Sequence, residues 1–306
     1  MSAEPGNARA VEAWNTVLFE KFSRYEHLLV QGLGQHGSQL FDRFPPAAGA
    51  RVLDIGSGFG DSTVRLSELV GPAGEAVGVD CSENFVAAAR DRARAQGAER
   101  TRFICADVQV DELDGPYDAA FARFGTMFFA SPVAALRNIR RSLAPGATFA
   151  ASAWRKREDN PCFYLAQQVV EQFIEQADKS KDDVTCGPGP FSWASADLVS
   201  DQLLAAGFVD PTFARFDAPM CIGASLDEAL DFARDVGPAG EALRLARQKA
   251  GALKGEIETV LRRAFEPFLG AHGVWAVSST WLITARVPET SSKIQAGRNS
   301  RAAVLA

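Results

Sequence analysis

The sequence is poor in the residues that build metal sites and disulfide frameworks. Its 306 residues include three histidines and five cysteines, an odd number, with no C-x-x-C pair and no histidine at ligand spacing from a cysteine. The cysteines are Cys81, Cys105, Cys162, Cys186 and Cys221. Because an unpaired cysteine commonly behaves as a small buried apolar residue, we expect reduced thiols and no bound metal ion.

Long apolar runs and an excess of basic residues are absent as well. No run approaches the roughly 18 apolar residues of a membrane span, and residues 1–15 lack the basic stretch and apolar block of an export signal. The formal net charge of −6 would repel the phosphate backbone of a nucleic acid. We therefore expect a cytoplasmic protein that neither inserts stably into a membrane nor binds nucleic acid. The oligomeric state stays open.

Short apolar runs separated by helical segments begin at residue 51, which is typical of a parallel sheet with helical crossovers. The predicted strands are 51–55, 76–80, 102–105, 117–121 and 148–154, with a turn at Pro145-Gly146 before the last. Residues 8–44 are predicted to be mostly helical, because apolar residues recur there at steps of three and four. Later elements are predicted as helices at 163–177, 195–206, 226–236 and 240–268 and strands at 208–220 and 274–287.

The most informative window is a predicted buried strand that carries Asp54 near its end and leads into three glycines at alternate positions. The glycines belong to Gly56-Ser57-Gly58-Phe59-Gly60. Glycine allows a sharp turn with positive φ and lets backbone amides approach a ligand at a helix N-terminus. A dinucleotide fingerprint needs its third glycine one position later, where this sequence has Asp61, whose charge would repel a pyrophosphate. The lysine of a phosphate-binding loop is also absent.

Two further acids follow the next two predicted strands. Asp80 ends the second strand, where a carboxylate can accept hydrogen bonds from both ribose hydroxyls. Asp107 follows the third strand, where it can accept from an adenine amino group while Phe85 and Val108 enclose the ring. Neighbouring parallel strands of open α/β sheets bind ligands at their carboxyl ends. The three acids therefore favour a cationic, unphosphorylated nucleoside, although Asp54 could instead cap the next helix and Asp80 could be a turn residue.

In order and spacing, these residues resemble the motifs of class I S-adenosylmethionine-dependent methyltransferases, in the ubiquinone and menaquinone C-methyltransferase branch (methyltransferase types 11 and 25). The resemblance covers residues 51–154 well, including the segment 121–129 after the fourth strand. It implies S-adenosylmethionine as the cofactor, with Gly56 to Gly58 under its methionine part and Arg123 and Phe124 near its methyl group. Ala122 departs from the small polar residue often found there, so a hydrogen bond to the cofactor is lost. The cofactor-binding residues implied are Asp54, Gly56, Ser57, Gly58, Gly60, Asp80, Cys81, Phe85, Asp107, Val108, Arg123 and Phe124.

The same resemblance implies a Rossmann-like α/β fold, in which helices flank a seven-stranded, mostly parallel sheet and further helices form a lid. We accordingly expect an N-terminal helical lid at 1–49 and a cofactor-binding core at 50–155. The second half of the sheet, with helical substrate or lid insertions, is expected at 156–287, and a disordered tail at 288–306.

The methyl acceptor is a small molecule that the sequence does not specify. Aromatic residues that could line its site are Trp14, Phe19, Tyr25, Phe128 and Trp154, although those of the first helix are more often core residues. No catalytic base identifies itself, so oxygen, carbon and nitrogen nucleophiles stay open. Two alternatives remain: an oxidoreductase that uses a nicotinamide dinucleotide, and a non-catalytic module that binds S-adenosylmethionine.

Overall fold

A mixed β-sheet forms the centre of the computed structural model, which describes residues 5–174 and 186–289. Within these residues the strands are β1 (Arg51–Ile55), β2 (Glu75–Asp80), β3 (Thr101–Cys105), β4 (Tyr117–Arg123), β5 (Leu143–Trp154), β6 (Val209–Gly223), β7 (Leu269–Gly270) and β8 (Gly273–Arg286). Their order is β3-β2-β1-β4-β5-β8-β6, and the short β7 pairs with β8. Strands β1 to β5 are parallel, whereas β8 is antiparallel to β5 and β6. The predicted Rossmann-like α/β fold is confirmed.

Helices cover both faces of the sheet and the carboxyl ends of its parallel strands. In the same described ranges they are α1 (Pro5–Asn15), α2 (Val17–Arg24), α3 (Glu26–Gly32), α4 (Gly34–Arg43), α5 (Asp61–Val70), α6 (Glu83–Ala95), α7 (Pro132–Arg141), α8 (Pro161–Phe173), α9 (Ala196–Ala205), α10 (Leu226–Asp235), α11 (Gly237–Leu245), α12 (Arg247–Ala252) and α13 (Lys254–Phe265). Short 3-10 turns include Thr126–Phe128, Arg157–Asp159 and Glu266–Phe268.

The parallel strands are nearly continuous apolar runs because helices bury both of their faces. On one face, Leu40 and Phe41 of α4 and Leu66 of α5 pack against the sheet. The main core cluster lies on the other face and extends into α7 to α11 and α13. Residues at alternate positions of a strand point to opposite faces, so β1, β2, β4, β5 and β8 contribute buried residues to both clusters.

Three predicted boundaries differ from the structure. Strand β5 begins at Leu143, which pairs with Tyr117 before a register shift, so Pro145-Gly146 is an irregularity inside the strand and not a turn before it. The predicted helix 240–268 is interrupted at Ala246 and Leu253, where ψ is near zero, and it forms three shorter helices.

The third difference is β7, a two-residue strand that no apolar pattern predicts. Parts of two other predictions, the end of the helix 163–177 and the tail from residue 290 onward, lie outside the described residues. Of the helices in 5–174 and 186–289, none combines the length and the apolar character needed to cross a lipid bilayer.

Candidate functional site

A cavity of about 190 Å³ lies at the carboxyl ends of β1 to β4, between these strands and the helices α1 to α3. It brings together most of the residues that the sequence singles out. The predicted residues that line it are Gly56, Ser57, Gly58, Asp80, Cys81, Phe85, Asp107, Val108, Arg123, Phe124, Trp14 and Phe128. The site is therefore built by the ends of four adjacent parallel strands, the position at which open α/β sheets bind ligands.

Asp54 does not line this cavity, contrary to its predicted contact with a cofactor. Its side chain is buried, and its Oδ2 accepts hydrogen bonds from Ser62 Oγ at 2.7 Å and Thr63 Oγ1 at 2.6 Å. Burial raises the pKa of this carboxyl to about 6, although both hydroxyls oppose the shift. Asp54 shares a strand face with Val52, which packs toward α5, so its carboxylate ties β1 to the first turn of that helix.

Gly60 also stands apart from the cavity lining. Its φ is +82°, and a Cβ there would lie 2.9 Å from both Ala89 Cβ and Phe103 Cε1. Gly60 thus allows α5 to begin close against α6 and β3, which is a packing requirement and not a ligand contact.

Three of the five aromatic residues predicted for the acceptor site lie behind the cavity wall. Phe19 packs edge-on against Phe85 with ring centroids 5.0 Å apart. The Tyr25 hydroxyl donates to Asp235 Oδ2 at 2.7 Å and so joins the residue before α3 to the end of α10. Trp154 packs against Phe124 at 4.7 Å. Phe19 and Trp154 thus pack against residues of the wall. Tyr25 and Trp154 are buried in the core, whereas Phe19 is half-buried.

The glycine loop brings backbone close to the cavity at two points. A Cβ on Gly56 would lie 2.9 Å from Gly125 Cα, so the loops after β1 and β4 touch through their backbones. Gly58 has a φ of +52° and no atom within 4 Å of a Cβ position, so this side of the loop is open. The Ser57 hydroxyl is buried and has no hydrogen-bond partner in the described part of the chain. A buried, unpaired hydroxyl is costly unless a ligand satisfies it.

Asp80 links the glycine loop to the start of α6. Its Oδ2 accepts from the Gly58 backbone N–H at 3.0 Å, and its Oδ1 accepts from the Ser82 N–H at 3.0 Å. Burial raises the pKa of this carboxyl, and these backbone hydrogen bonds oppose the increase. Because a carboxylate offers about four lone-pair sites, Asp80 keeps capacity for two further donors from a ligand.

Asp107 is engaged by two residues that the sequence analysis did not identify. Asn7 Nδ2 donates to Asp107 Oδ2, and Gln109 donates to Oδ1 through its backbone N–H at 3.0 Å. Gln109 Nε2 also donates to Asn7 Oδ1 at 2.7 Å. Helix α1 therefore closes over the end of β3, and Asn7 and Gln109 both line the cavity. No sequence signal marks Asn7, because its role depends on where α1 docks.

A second missed contact is an ion pair between Arg123 and Asp61. Arg123 Nη2 donates to Asp61 Oδ2 at 2.5 Å, and both side chains line the cavity. The sequence singled out each residue separately, Arg123 by resemblance and Asp61 as an obstacle to a pyrophosphate. Their pairing was not predicted, since it joins the end of β4 to the start of α5.

The rest of the wall is apolar and comes largely from helices that precede the first strand. Besides Trp14 and Phe128, it includes Val11, Phe22, Leu29, Val30, Leu33, Phe59 and Phe129. The apolar face of a helix can be predicted from its sequence, whereas the site it covers cannot. This explains why these contributors were missed.

Histidine side chains take no part in the cavity. His36 is fully buried behind Phe124, with Nε2 2.7 Å from Ser278 Oγ and Nδ1 2.9 Å from Thr280 Oγ1. Ser278 donates to the Ala218 carbonyl, so it accepts from His36 Nε2–H and leaves Nδ1 as the acceptor. Burial lowers the pKa of His36 to about 4, and the ring is neutral.

Comparison with known proteins agrees with this geometry. The profile of a family described as a methyltransferase domain matches residues 52–146. A ubiquinone/menaquinone biosynthesis C-methyltransferase of Pseudomonas fluorescens is 38% identical over 101 residues, which are 32% of this chain and 40% of that protein. A demethylmenaquinone methyltransferase of Thermus thermophilus is 40% identical over 97 residues, 31% of this chain and 43% of the relative. The chain thus spans about two fifths of the length of these relatives.

Solved structures extend the likeness in fold beyond that segment. The YcgJ protein of Bacillus subtilis superposes with a TM-score of 0.53 at 17% identity, over 85% of this chain and 99% of that one. A candidate methyltransferase of Bacillus halodurans gives a TM-score of 0.53 at 15% identity, over 82% and 98%. The segment 52–146 is thus similar to a methyltransferase domain, and it contains the glycine loop, Asp80, Asp107 and Arg123, which line the cavity. Residues 52–146 are the part that the profile defines.

Proposed function

We propose that the protein is a methyltransferase that binds S-adenosylmethionine in this cavity and transfers its methyl group to a small-molecule acceptor by in-line displacement. The observation that carries the proposal is Asp80, held against the Gly58 amide at the cavity wall with lone pairs to spare. A carboxylate in this place suits the two hydroxyls of an unphosphorylated ribose. The names of the related methyltransferases support the same activity.

The residues present fit such a cofactor. Asp80 would accept from the ribose hydroxyls, while Phe85 and Val108 would enclose the adenine ring. The unpaired Ser57 hydroxyl of the glycine loop would gain a partner. Asp107 would accept a hydrogen bond from the adenine amino group. In the structure its carboxylate accepts a hydrogen bond from Asn7. Each of these side chains lines the cavity.

The cofactor supplies a methyl group activated by a sulfonium. The protein's part is to hold the acceptor in line with that group and to exclude water, which can lower the barrier by roughly 7 to 11 kcal/mol. Helices α1 to α3 contribute Val11, Phe22 and Leu29 to the wall and separate the cavity from solvent. Cys81 lines the cavity, but burial raises the pKa of its thiol, so a thiolate base is disfavoured there.

We also propose the division of the chain that the sequence predicts, with residues 1–49 as a lid, 50–155 as the cofactor-binding core and 156–287 as the second half with substrate or lid insertions. The contribution of α1 to α3 to the wall supports the first assignment. The absence of nucleic-acid binding belongs to the same proposal, on the basis of the net charge of −6. A cytoplasmic location is proposed with it.

A thermal-shift comparison tests the proposed cofactor against a nicotinamide dinucleotide. A ligand at 100 times its Kd stabilises a native protein by about 2.7 kcal/mol, which raises Tm by several degrees. S-Adenosylhomocysteine is expected to give this shift and NADH to give none, because Asp61, which lines the cavity, stands where a dinucleotide-binding loop has its third glycine. A shift with NADH alone would contradict the proposal.

A panel of quinols, phenols, amines and thiols then separates an enzyme from a non-catalytic module. With S-adenosylmethionine present, formation of S-adenosylhomocysteine with at least one acceptor supports the proposal. A protein that binds the cofactor and yields no product across the panel would favour the binding-module alternative.

A further inference from the structure

Strand β6 forms an open edge of the sheet. It is the last strand in the order β3-β2-β1-β4-β5-β8-β6, and in residues 5–174 and 186–289 no strand pairs with its outer side. An edge strand carries a row of unpaired N–H and C=O groups, which can pair with another chain. With 15 residues, β6 is also the longest strand of the described part of the chain. An edge of this length is a candidate interaction surface.

The backbone groups of β6 that point outward can be identified from the neighbouring strand. Ser279 of β8 lies opposite Asp217 of β6. The Ser279 N–H donates to Asn160 Oδ1 at 2.7 Å, and its carbonyl accepts from the Arg155 N–H at 3.1 Å, on the side of β5. Opposite residues of an antiparallel pair exchange both hydrogen bonds or neither. The N–H and C=O groups of Asp217 therefore point away from β8, toward the open edge.

This direction alternates along the strand, so Phe213 and Arg215 also present their backbone groups outward. The register with β8 has no shift between Thr212 and Cys221, so the alternation holds throughout this segment. Within the described ranges, no hydrogen bond engages these outward groups. Pro219 continues the pattern with a carbonyl and no N–H, as is usual for a proline on an edge strand. The ladder open to a partner thus runs from residue 213 to residue 219.

The side chains beside these groups fit a second copy of the same strand. Arg215 and Asp217 form an ion pair whose side chains are 52% and 37% exposed. In a two-fold antiparallel pairing centred on Phe216, Arg215 of each copy would lie opposite the partner's Asp217. An axis at Arg215 would set the two arginines against each other, and an axis at Ala214 would set Arg215 against the partner's Phe213. Charge complementarity therefore selects the axis at Phe216.

The other side chains of β6 agree with this register. On the face toward α4, Phe216 would lie opposite the partner's Phe216, and the small Ala214 opposite the partner's Ala218. On the other face, Phe213 would lie opposite the partner's Pro219. Apolar residues thus meet apolar residues on both faces. The pairing forms about six backbone hydrogen bonds, a number within the range of stable interfaces.

We propose that two copies of the chain join their β6 edges about a two-fold axis at Phe216, so that their two sheets become one continuous sheet. The interface is isologous, because each copy contributes the same residues to it. Strands β5 and β8 separate this edge from the strands that build the cavity, so each copy keeps its own site. The inference goes beyond the proposed function and does not depend on it.

Sedimentation velocity of the full chain tests the dimer and its charge pairing. The wild type is expected at twice the mass of the chain at micromolar concentration. Arg215→Asp and Asp217→Arg should each weaken self-association roughly tenfold or more, because like charges then oppose each other at both ends of the pairing. An equal mixture of the two variants should form heterodimers, since every charge regains an opposite neighbour. Arg94→Asp reverses an exposed charge of α6 and should leave the wild-type dimer intact.

Cysteine crosslinking tests the register. In the proposed pairing the Cα atoms of the two Phe216 residues are about 4.5 Å apart, which suits a disulfide. Phe216→Cys should therefore give a covalent dimer when its thiols are oxidised by diamide. Ala214→Cys is the matched control, because the two copies of this position lie four residues apart along the ladder, roughly 14 Å. The wild type treated in the same way accounts for the protein's own cysteines.

Circular dichroism checks that each variant is folded. If Asp217→Arg does not fold, Arg215→Asp and Phe216→Cys carry the test. A wild type that stays monomeric up to high micromolar concentration overturns the inference. A dimer that persists unchanged in both charge variants, a mixture that does not associate, or a covalent dimer of Ala214→Cys and not of Phe216→Cys would overturn it as well, because each places the contact elsewhere.

Discussion

The two sides of the cavity differ in how their side chains are held. On the side of β2 and β3, Asp80 and Asp107 accept several directional hydrogen bonds, from Gly58, Ser82, Asn7 and Gln109. On the side of β4 and the N-terminal helices, apart from the Asp61–Arg123 ion pair, the wall is formed by packing of Phe22, Leu29, Phe124 and Phe128. Hydrogen bonds fix the orientation of a ligand's polar groups, whereas an apolar wall selects mainly by shape. The polar side therefore defines a cofactor more closely than the apolar side defines an acceptor.

The largest effect is expected on the polar side. Asp80→Ala removes the acceptor for the Gly58 and Ser82 amides and for the ribose hydroxyls. The affinity for S-adenosylhomocysteine should fall by about 1.5 to 3 kcal/mol, roughly 10- to 150-fold, in a calorimetric titration. Asp91→Ala, on the exposed face of α6, is the matched control and should bind like the wild type. Unchanged affinity in a folded Asp80→Ala protein would remove Asp80 from the site.

An intermediate effect concerns His36, which lies behind the apolar side. The folded protein holds its pKa at about 4, against an ordinary value of 6.5. The stabilisation from a neutral His36 is complete above pH 6.5 and is lost as the pH falls from 6.5 toward 4, because only the unfolded chain takes up the proton. His36→Gln removes this dependence. The stability advantage of the wild type over the variant should shrink by about 1.4 kcal/mol between pH 7.5 and 5.5 in urea unfolding.

Comparing the wild type with His36→Gln also controls for Asp54, whose raised pKa changes the stability with pH in the opposite direction. A carboxyl with a folded pKa of about 6 adds stability as the pH falls below 6, since the folded protein takes up the proton first. Asp54 is present in both proteins, so its contribution cancels in the difference. A stability difference that is constant across this pH range would show that His36 is protonated alike in the folded and unfolded states.

The smallest effect is expected at α1, which covers the polar side. Asn7→Ala removes the hydrogen bonds to Asp107 and from Gln109, worth about 1 kcal/mol in net terms. We expect S-adenosylhomocysteine to dissociate roughly fivefold faster in stopped-flow fluorescence, because α1 opens more readily. Glu12→Ala changes an exposed residue of the same helix and should leave the rate unchanged. An equal acceleration in both variants would mean that α1 loosens for general reasons and that Asn7 has no specific role.

The difference between the two sides also explains what the sequence can predict. Asp80 and Asp107 end or follow strands of a parallel sheet, whose carboxyl ends converge by geometry, so their presence at the cavity was predictable. Asn7, Phe22 and Leu29 come from helices before the first strand. Their positions depend on tertiary contacts such as that between Tyr25 and Asp235, which lie far apart in the sequence.

Asp54 shows a subtler limit. An acid near the end of a buried strand can face the ligand or the next helix, and the sequence pattern alone favours neither. Asp54 lies on the same strand face as Val52, and its carboxylate accepts hydrogen bonds from the hydroxyls of Ser62 and Thr63, so its side chain faces the helix. The aromatic residues Tyr25 and Trp154 were ambiguous in the same way, since a core position and a wall position require the same side chain.

The most direct test of the central claim is a crystal structure of the protein with S-adenosylhomocysteine. We expect both ribose hydroxyls within hydrogen-bond distance of the Asp80 carboxylate and the adenine ring between Phe85 and Val108, with the glycine loop beneath the sulfur. A ligand bound elsewhere, or a nucleoside in this cavity without contact to Asp80, would contradict the account.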